Sequence, residues 1–156
     1  MSAFLPVSLD PPLVAVSLIA GSYPAEVLSR PSLSSPGGTT PRTPRGEPDE
    51  GATVSRPPAI RFAVTLLSSA QKVIAGQFAA SGRPSAKLIL DAVPHARGPL
   101  SGALIPSGGL AALECSVARR VPTGDHLLVI AAVESVFYVA EGGDPLVRFR
   151  GRYPAL

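Results

Sequence analysis

Between Arg30 and Pro58 the chain reads RPSLSSPGGTTPRTPRGEPDEGATVSRPP, and any compact fold has to be built around this stretch rather than through it. Its 29 residues hold seven Pro, four Gly, four Ser and four Thr, and only Leu33, Ala52 and Val54 are apolar. Each proline removes an amide donor and fixes φ. A segment with so little apolar surface cannot offset the entropy of its own ordering, which reads as a disordered insertion. The structured protein is then one domain in two pieces, residues 1–29 and 59–156, which leaves 127 residues to form a core.

The hydrophobic fraction of 46% is sufficient for that core, while 18 Pro and 15 Gly in the whole chain limit regular structure to short elements. The net charge is +3. The arginines are scattered and form no basic stripe interleaved with aromatics, so a nucleic-acid surface is not expected. Cys115 is the only cysteine, which rules out an internal disulfide. With His95 and His126 it does not make a closed zinc site, and no metal is expected. The longest apolar run, LVAVSLIAG, falls short of the about 20 residues a membrane helix needs. Met1–Pro12 lacks Lys and Arg, contains Asp10 and ends in Pro11-Pro12, which argues against a signal peptide. The expected location is cytoplasmic by absence of signals, with an organelle open if the N-terminus is incomplete.

Leu13–Leu18 reads as a buried strand. Ser22, Pro24 and Glu26 in GSYPAEVLS are first-turn helix signals, and that short helix has to end by Pro31. After the insertion, AIRFAVTLL alternates with Ile60, Phe62, Val64 and Leu66 on one face and Arg61, Ala63 and Thr65 on the other, the pattern of a half-buried strand. Ser68 followed by Gln71 has the spacing of a capping box. The helix it opens carries a stripe of Ala70, Val73, Ile74 and Phe78 and stops at Gly82 and Pro84. Beyond this helix the pattern predicts β-structure throughout. Leu113, Cys115 and Val117 share a face, HLLVIAAVESVFYVA supplies one strand or two, and a short LVRFRGRY closes the chain.

The chain has no Gly-x-Gly-x-x-Gly after a strand, no Gly-Lys-Ser/Thr loop and no Gly-x-Ser-x-Gly elbow. Two motifs carry chemistry. In Gly124-Asp125-His126 a turn delivers a histidine to the first position of an apolar strand; the motif alone favours a histidine at a barrel rim over a functional one. In RFRGRYPAL, Arg148, Arg150 and Arg152 alternate about Phe149 and Tyr153, either as the charged face of an edge strand or as guanidiniums for a phosphate.

SAFLPVSLDPPLV, FAVTLLSSAQKVIAGQFA, GALIPSGGLAALECSV, GDHLLVI and GDPLVRFRGRYPAL follow one another in an order that resembles the flavin reductase-like family of FMN-binding split barrels. That family includes the reductase components of two-component flavin monooxygenases. The resemblance covers the chain outside Arg30–Pro58. It implies a mainly β protein: a six-stranded split β-barrel of Greek-key type with one or two short helices, usually a homodimer. Here Met1 stands where the family is already inside its second strand, so the resemblance implies that an N-terminal strand is missing.

By position, the resemblance places Ser2, Ala3 and Ser8 along the isoalloxazine and ribityl chain, and Ser22 in the phosphate-binding loop. It places Ala63, Val64 and Thr65 beside the flavin, with Thr65 where the family has Asn, and Gln71 at the matching helix position. Arg152 and Tyr153 would close the pocket, and His126 would stand on the nicotinamide side. The implied activity is NAD(P)H:flavin reduction, with FMN or FAD bound, NADH or NADPH as donor, and a monooxygenase receiving the reduced flavin. No protein residue is required to be catalytic, because the flavin carries the hydride chemistry. The alternatives are a flavin-binding module without turnover and a truncated, non-functional fragment.

Overall fold

A computed structural model describes residues 3–30, 59–80, 82, 85–139 and 142–154. Residues 31–58, and with them almost all of the expected insertion, lie outside the described residues.

Five antiparallel strands form the main sheet in the order β1-β2-β7-β6-β3. They are β1 (Ala3–Leu9), β2 (Pro12–Ile19), β3 (Arg61–Leu66), β6 (Ala111–Thr123) and β7 (His126–Tyr138). β4 (His95–Arg97) and β5 (Leu104–Pro106) form a separate hairpin. Among the described residues the main sheet does not close: β1 and β3 are its edges. The expected barrel is therefore present as an open, mainly β arrangement of five strands and a hairpin.

Strand alternation divides the sheet into two faces. On the inner face Val16, Leu18, Leu127 and Val129 pack with Ala25 and Leu28 of helix α1 (Tyr23–Ser29), joined by Ile60, Phe62 and Val117. Val14, Cys115 and Ala131 continue this core toward Leu113 and Val133. Cys115 is buried and free, and burial first, with Glu134 and Glu114 nearby, pushes its thiol up to about 11. Helix α1 starts and stops where Ser22, Pro24 and Pro31 require. Arg120 of β6 ties down its carboxyl end by donating Nε to the Leu28 carbonyl, which satisfies an acceptor that a helix terminus leaves open.

The helix after β3 begins as a 3-10 turn at Ser69–Gln71 and continues as α2 (Lys72–Ala79). Its apolar stripe is thinner than the spacing predicts, because Ile74 is buried while Val73 is exposed. The expectation of β-structure throughout the region that follows is corrected by α3 (Ala86–Asp91). Ser85 Oγ accepts from Leu88 N, and Lys87 pairs with Asp91 one turn later; these local bonds hold a helix too short to show a clear period. The closing RFRGRY is likewise not a ladder strand. Phe149 and Arg152 form an isolated bridge around a turn in which Arg150 and Gly151 have φ of 49 and 77 degrees.

Candidate functional site

β3 runs antiparallel to β6 with Ala63 opposite Glu114 and Thr65 opposite Ala112. Paired residues share a face, so Arg61, Ala63 and Thr65 lie on the outer face with Glu114, Ser116 and Ala112. The same face continues through Ala132 and Leu128 on β7 and through Leu13, Ala15 and Ser17 on β2 to Ser8 and Ala3 on β1. His126 pairs with Ile19 and Thr123 and falls on this face as well. The β1 bulge between Pro6 and Ser8 turns Ser8 onto it. Ala3, Ser8, Ala63, Thr65 and His126 are thus brought to one surface. Ala15, Ser17, Ala112, Ser116 and Ala132 share that surface with the larger Leu13, Leu128 and Ile130.

The other candidates stand elsewhere. Val64 points with Phe62 to the inner face. Ser22 precedes α1 in the loop that leaves β2, beside His126: Ala20 N donates to Asp125 O at 2.9 Å and Ser22 N to Ile19 O at 3.1 Å. Gln71 is 8% exposed with its amide engaged at both ends, Oε1 accepting from Ser68 N at 3.1 Å and Nε2 donating to Ser107 O at 2.9 Å. Arg152 and Tyr153 sit on the C-terminal turn, past the bond from Leu146 N to Leu67 O at 2.9 Å that ties this segment to the end of β3. Ser2 lies outside the described residues.

The Gly124-Asp125 turn, with Gly124 at φ 58 degrees, places His126 first in β7 as its sequence predicts. Asp125 Oδ1 is 2.7 Å from His126 Nδ1. A carboxylate only accepts, so Nδ1 donates in this contact and Nε2 is left facing away from Asp125. The hydrogen bond from His126, followed by its charge, holds the exposed Asp125 carboxyl below its usual range.

Sequence patterning left unnoticed a polar cluster beside Ala63. Arg61 Nε donates to Glu134 Oε2 at 2.7 Å, and Arg61 first, then Ser116, hold the Glu134 carboxyl below its usual range. Glu114 is fully buried and accepts from Leu100 N at 3.1 Å, Ser101 N at 2.7 Å and Ser101 Oγ at 2.6 Å. The available signal was a lone acid on the opposite parity from Leu113, Cys115 and Val117. No group of three potential metal ligands occurs among the described residues, and no described helix is long and apolar enough to cross a membrane.

The open antiparallel sheet thus presents Ala, Ser and Thr side chains on its outer face, with a histidine held by an aspartate at one end. The flavin reductase like domain matches residues 1–156, and the chain belongs to this family. It is 33% identical over 99% of its length to the reductase component of 4-hydroxyphenylacetate 3-monooxygenase from Thermus thermophilus, of which it covers 76%. It is 28% identical over 96% of its length to the NADH-dependent FMN reductase AsuE2 of Streptomyces nodosus subsp. asukaensis, of which it covers 65%. Among solved structures it superposes on the flavin reductase PheA2 with a TM-score of 0.66 at 26% identity, covering 99% of this chain and 76% of that one. The chain thus spans about two thirds to three quarters of the length of these relatives.

Proposed function

We propose that the chain is an FMN-binding NAD(P)H:flavin oxidoreductase, active as a homodimer in the cytoplasm, that delivers reduced flavin to a partner monooxygenase. The observation that carries this reading is the outer sheet face, which Ala3, Ser8, Ala63 and Thr65 share with His126 at its far end. The residues present fit a flavin. Ala and Ser side chains admit a planar ring close to the strands, while Ser8, Ser17, Ser116 and Thr65 offer hydroxyls to its polar edge. Bound there, a flavin supplies the two-electron chemistry of accepting hydride from a nicotinamide. The protein orients and encloses. His126 Nε2, on the side of the ring away from Asp125, is left to meet a polar ligand group such as the nicotinamide carboxamide; FAD in place of FMN and NADPH in place of NADH meet the same residues.

The homodimer has support in the register. Thr65 pairs at Ala112 and His126 at Thr123, the two ends of β6, which is up to roughly 36 Å of strand at about 3.3 Å per residue. A site using both ends of this face is most simply completed by a second copy. Edge strand β1 exposes Phe4, Leu5, Val7 and Leu9, the last at 92%, a row of apolar side chains on unpaired backbone that calls for cover. Light scattering is expected to give twice the mass of one chain, and Leu5→Lys with Leu9→Lys to shift the population to monomer. A monomeric wild-type chain would remove the dimer from this reading.

The reaction is tested by mixing the chain with FMN, desalting, and adding NADH without oxygen while following the visible flavin band. Retained flavin that bleaches faster than free FMN is the expected result, and flavin that washes through overturns the reading. Flavin retained but reduced no faster than in free solution favours a binding module without turnover. That second reading draws on the loop Ile19–Tyr23, which contains no Lys or Arg to meet a phosphate.

A further inference from the structure

Arg148, Arg150 and Arg152 set three guanidiniums within five residues, and no carboxylate occurs from Pro145 to Pro154. None of the ion pairs among the described residues involves them. Of these, Arg150 and Arg152 line one cleft, where they can share an anion.

The backbone turns sharply between Phe149 and Arg152. Phe149 N donates to Arg152 O at 2.8 Å and Arg152 N to Phe149 O at 3.0 Å, closing a two-residue turn. Its central residues, Arg150 and Gly151, both have positive φ, as a type I′ turn demands. Asn and Gly are the usual occupants of the first position; a long cationic side chain there is uncommon, and such backbone positions concentrate at ligand sites. The turn holds the Arg150 guanidinium 5.2 Å from the centroid of the Phe149 ring, which is 61% exposed. Phe149, Arg150, Arg152 and Pro154 line an open surface cleft of about 460 Å³. Through Leu146 and Leu67 this segment is tied to the end of β3 that carries Thr65.

We propose that this cleft receives the adenosine diphosphate portion of a dinucleotide. The Arg150 and Arg152 guanidiniums meet the pyrophosphate oxygens by charge-assisted hydrogen bonds, and the Phe149 ring meets the base. This moiety is common to NADH, NADPH and FAD and absent from FMN. Only the choice among those sources rests on the oxidoreductase reading; the affinity for adenosine diphosphate does not.

Calorimetric titration of the full chain with ADP and with inorganic phosphate is the test. ADP is expected to bind at least about tenfold more tightly than phosphate and to weaken with added salt. Arg150→Gln is expected to weaken ADP about tenfold, the loss of one charge-assisted contact, and Phe149→Leu several-fold. Both side chains are exposed, so both variants should keep the wild-type circular dichroism spectrum. An Arg150→Gln chain with a raised KM for NADH would assign the cleft to the hydride donor; weaker retention of FAD but not of FMN would assign it to the flavin dinucleotide. ADP binding no tighter than phosphate, or unchanged in Arg150→Gln, overturns the proposal. A chain that binds ADP but does not bleach flavin removes the oxidoreductase reading and leaves this one standing.

Discussion

Glu114→Ala is expected to lower the stability of the fold by about 2–3 kcal/mol, the range for losing hydrogen bonds to a buried charged group. The carboxylate is fully buried and gathers three donors from one loop, the amides of Leu100 and Ser101 and the Ser101 hydroxyl. Ser101 Oγ in turn accepts from Ala103 N at 3.1 Å. Truncation removes the one acceptor these part-buried donors share. Gly98→Ala reaches the same network from the other side, because a Cβ there collides with Glu114 Oε1 and lies 2.7 Å from Ser101 Oγ. Urea midpoints compare the three proteins. A Glu114→Ala chain within about 1 kcal/mol of the wild type would show that the loop carries its own weight.

The same carboxylate gives stability a sign with pH. Burial alone would raise its pKa, and so would Glu134; the Ser101 hydroxyl and amide and the Leu100 amide outweigh both and hold it below the ordinary 4.5. A folded value below the unfolded one means the unfolded chain binds the proton first as acid is added. The contribution is therefore complete above about pH 4.5 and is lost as pH falls through the folded value. Glu134, held low by Arg61, adds to the trend in the same direction. The stability gap between wild type and Glu114→Gln should narrow only on the acid side of that window. A gap independent of pH would assign the loss to packing.

β3 was legible from residues alone by its alternation and β2 by its apolar run, while β7 is a single strand where the sequence left one or two open. α3 was not legible, because six residues show no period and their stability comes from the Ser85 cap and the Lys87–Asp91 pair. Order on the outer face was legible for Ala63 and Thr65 by parity, and for His126 by the glycine that turns into β7. It was illegible for Ser8, since only a bulge brings that residue to the face and no composition rule announces a bulge. Glu114 and Glu134 are a third kind. Their environment is made by a loop more than ten residues away and by a register shift in β6–β7, both properties of the tertiary fold. The chain's family membership was legible from the order of its motifs, no one of which would have sufficed.

Gln71 carries the second large effect, and its chemistry separates two roles that a sequence position cannot. Its Oε1 takes the amide of Ser68 and its Nε2 reaches the carbonyl of Ser107, joining the exit of β3 to the turn before β6. That turn packs tightly. Leu110 N donates to Leu66 O at 2.8 Å, and a Cβ on Gly109 would stand 2.9 Å from Thr65 Cγ2. Gln71→Ala leaves a part-buried amide and carbonyl unpaired, which should cost about 2–3 kcal/mol. Gln71→Glu should cost at least as much, because its carboxylate keeps the Ser68 bond but turns an acceptor toward the Ser107 carbonyl. If the amide acts by holding Thr65 in place, FMN retention at low temperature should follow the folded fraction in both variants. A Gln71→Ala chain as stable as the wild type that had nonetheless lost its flavin would mean the amide touches the cofactor itself.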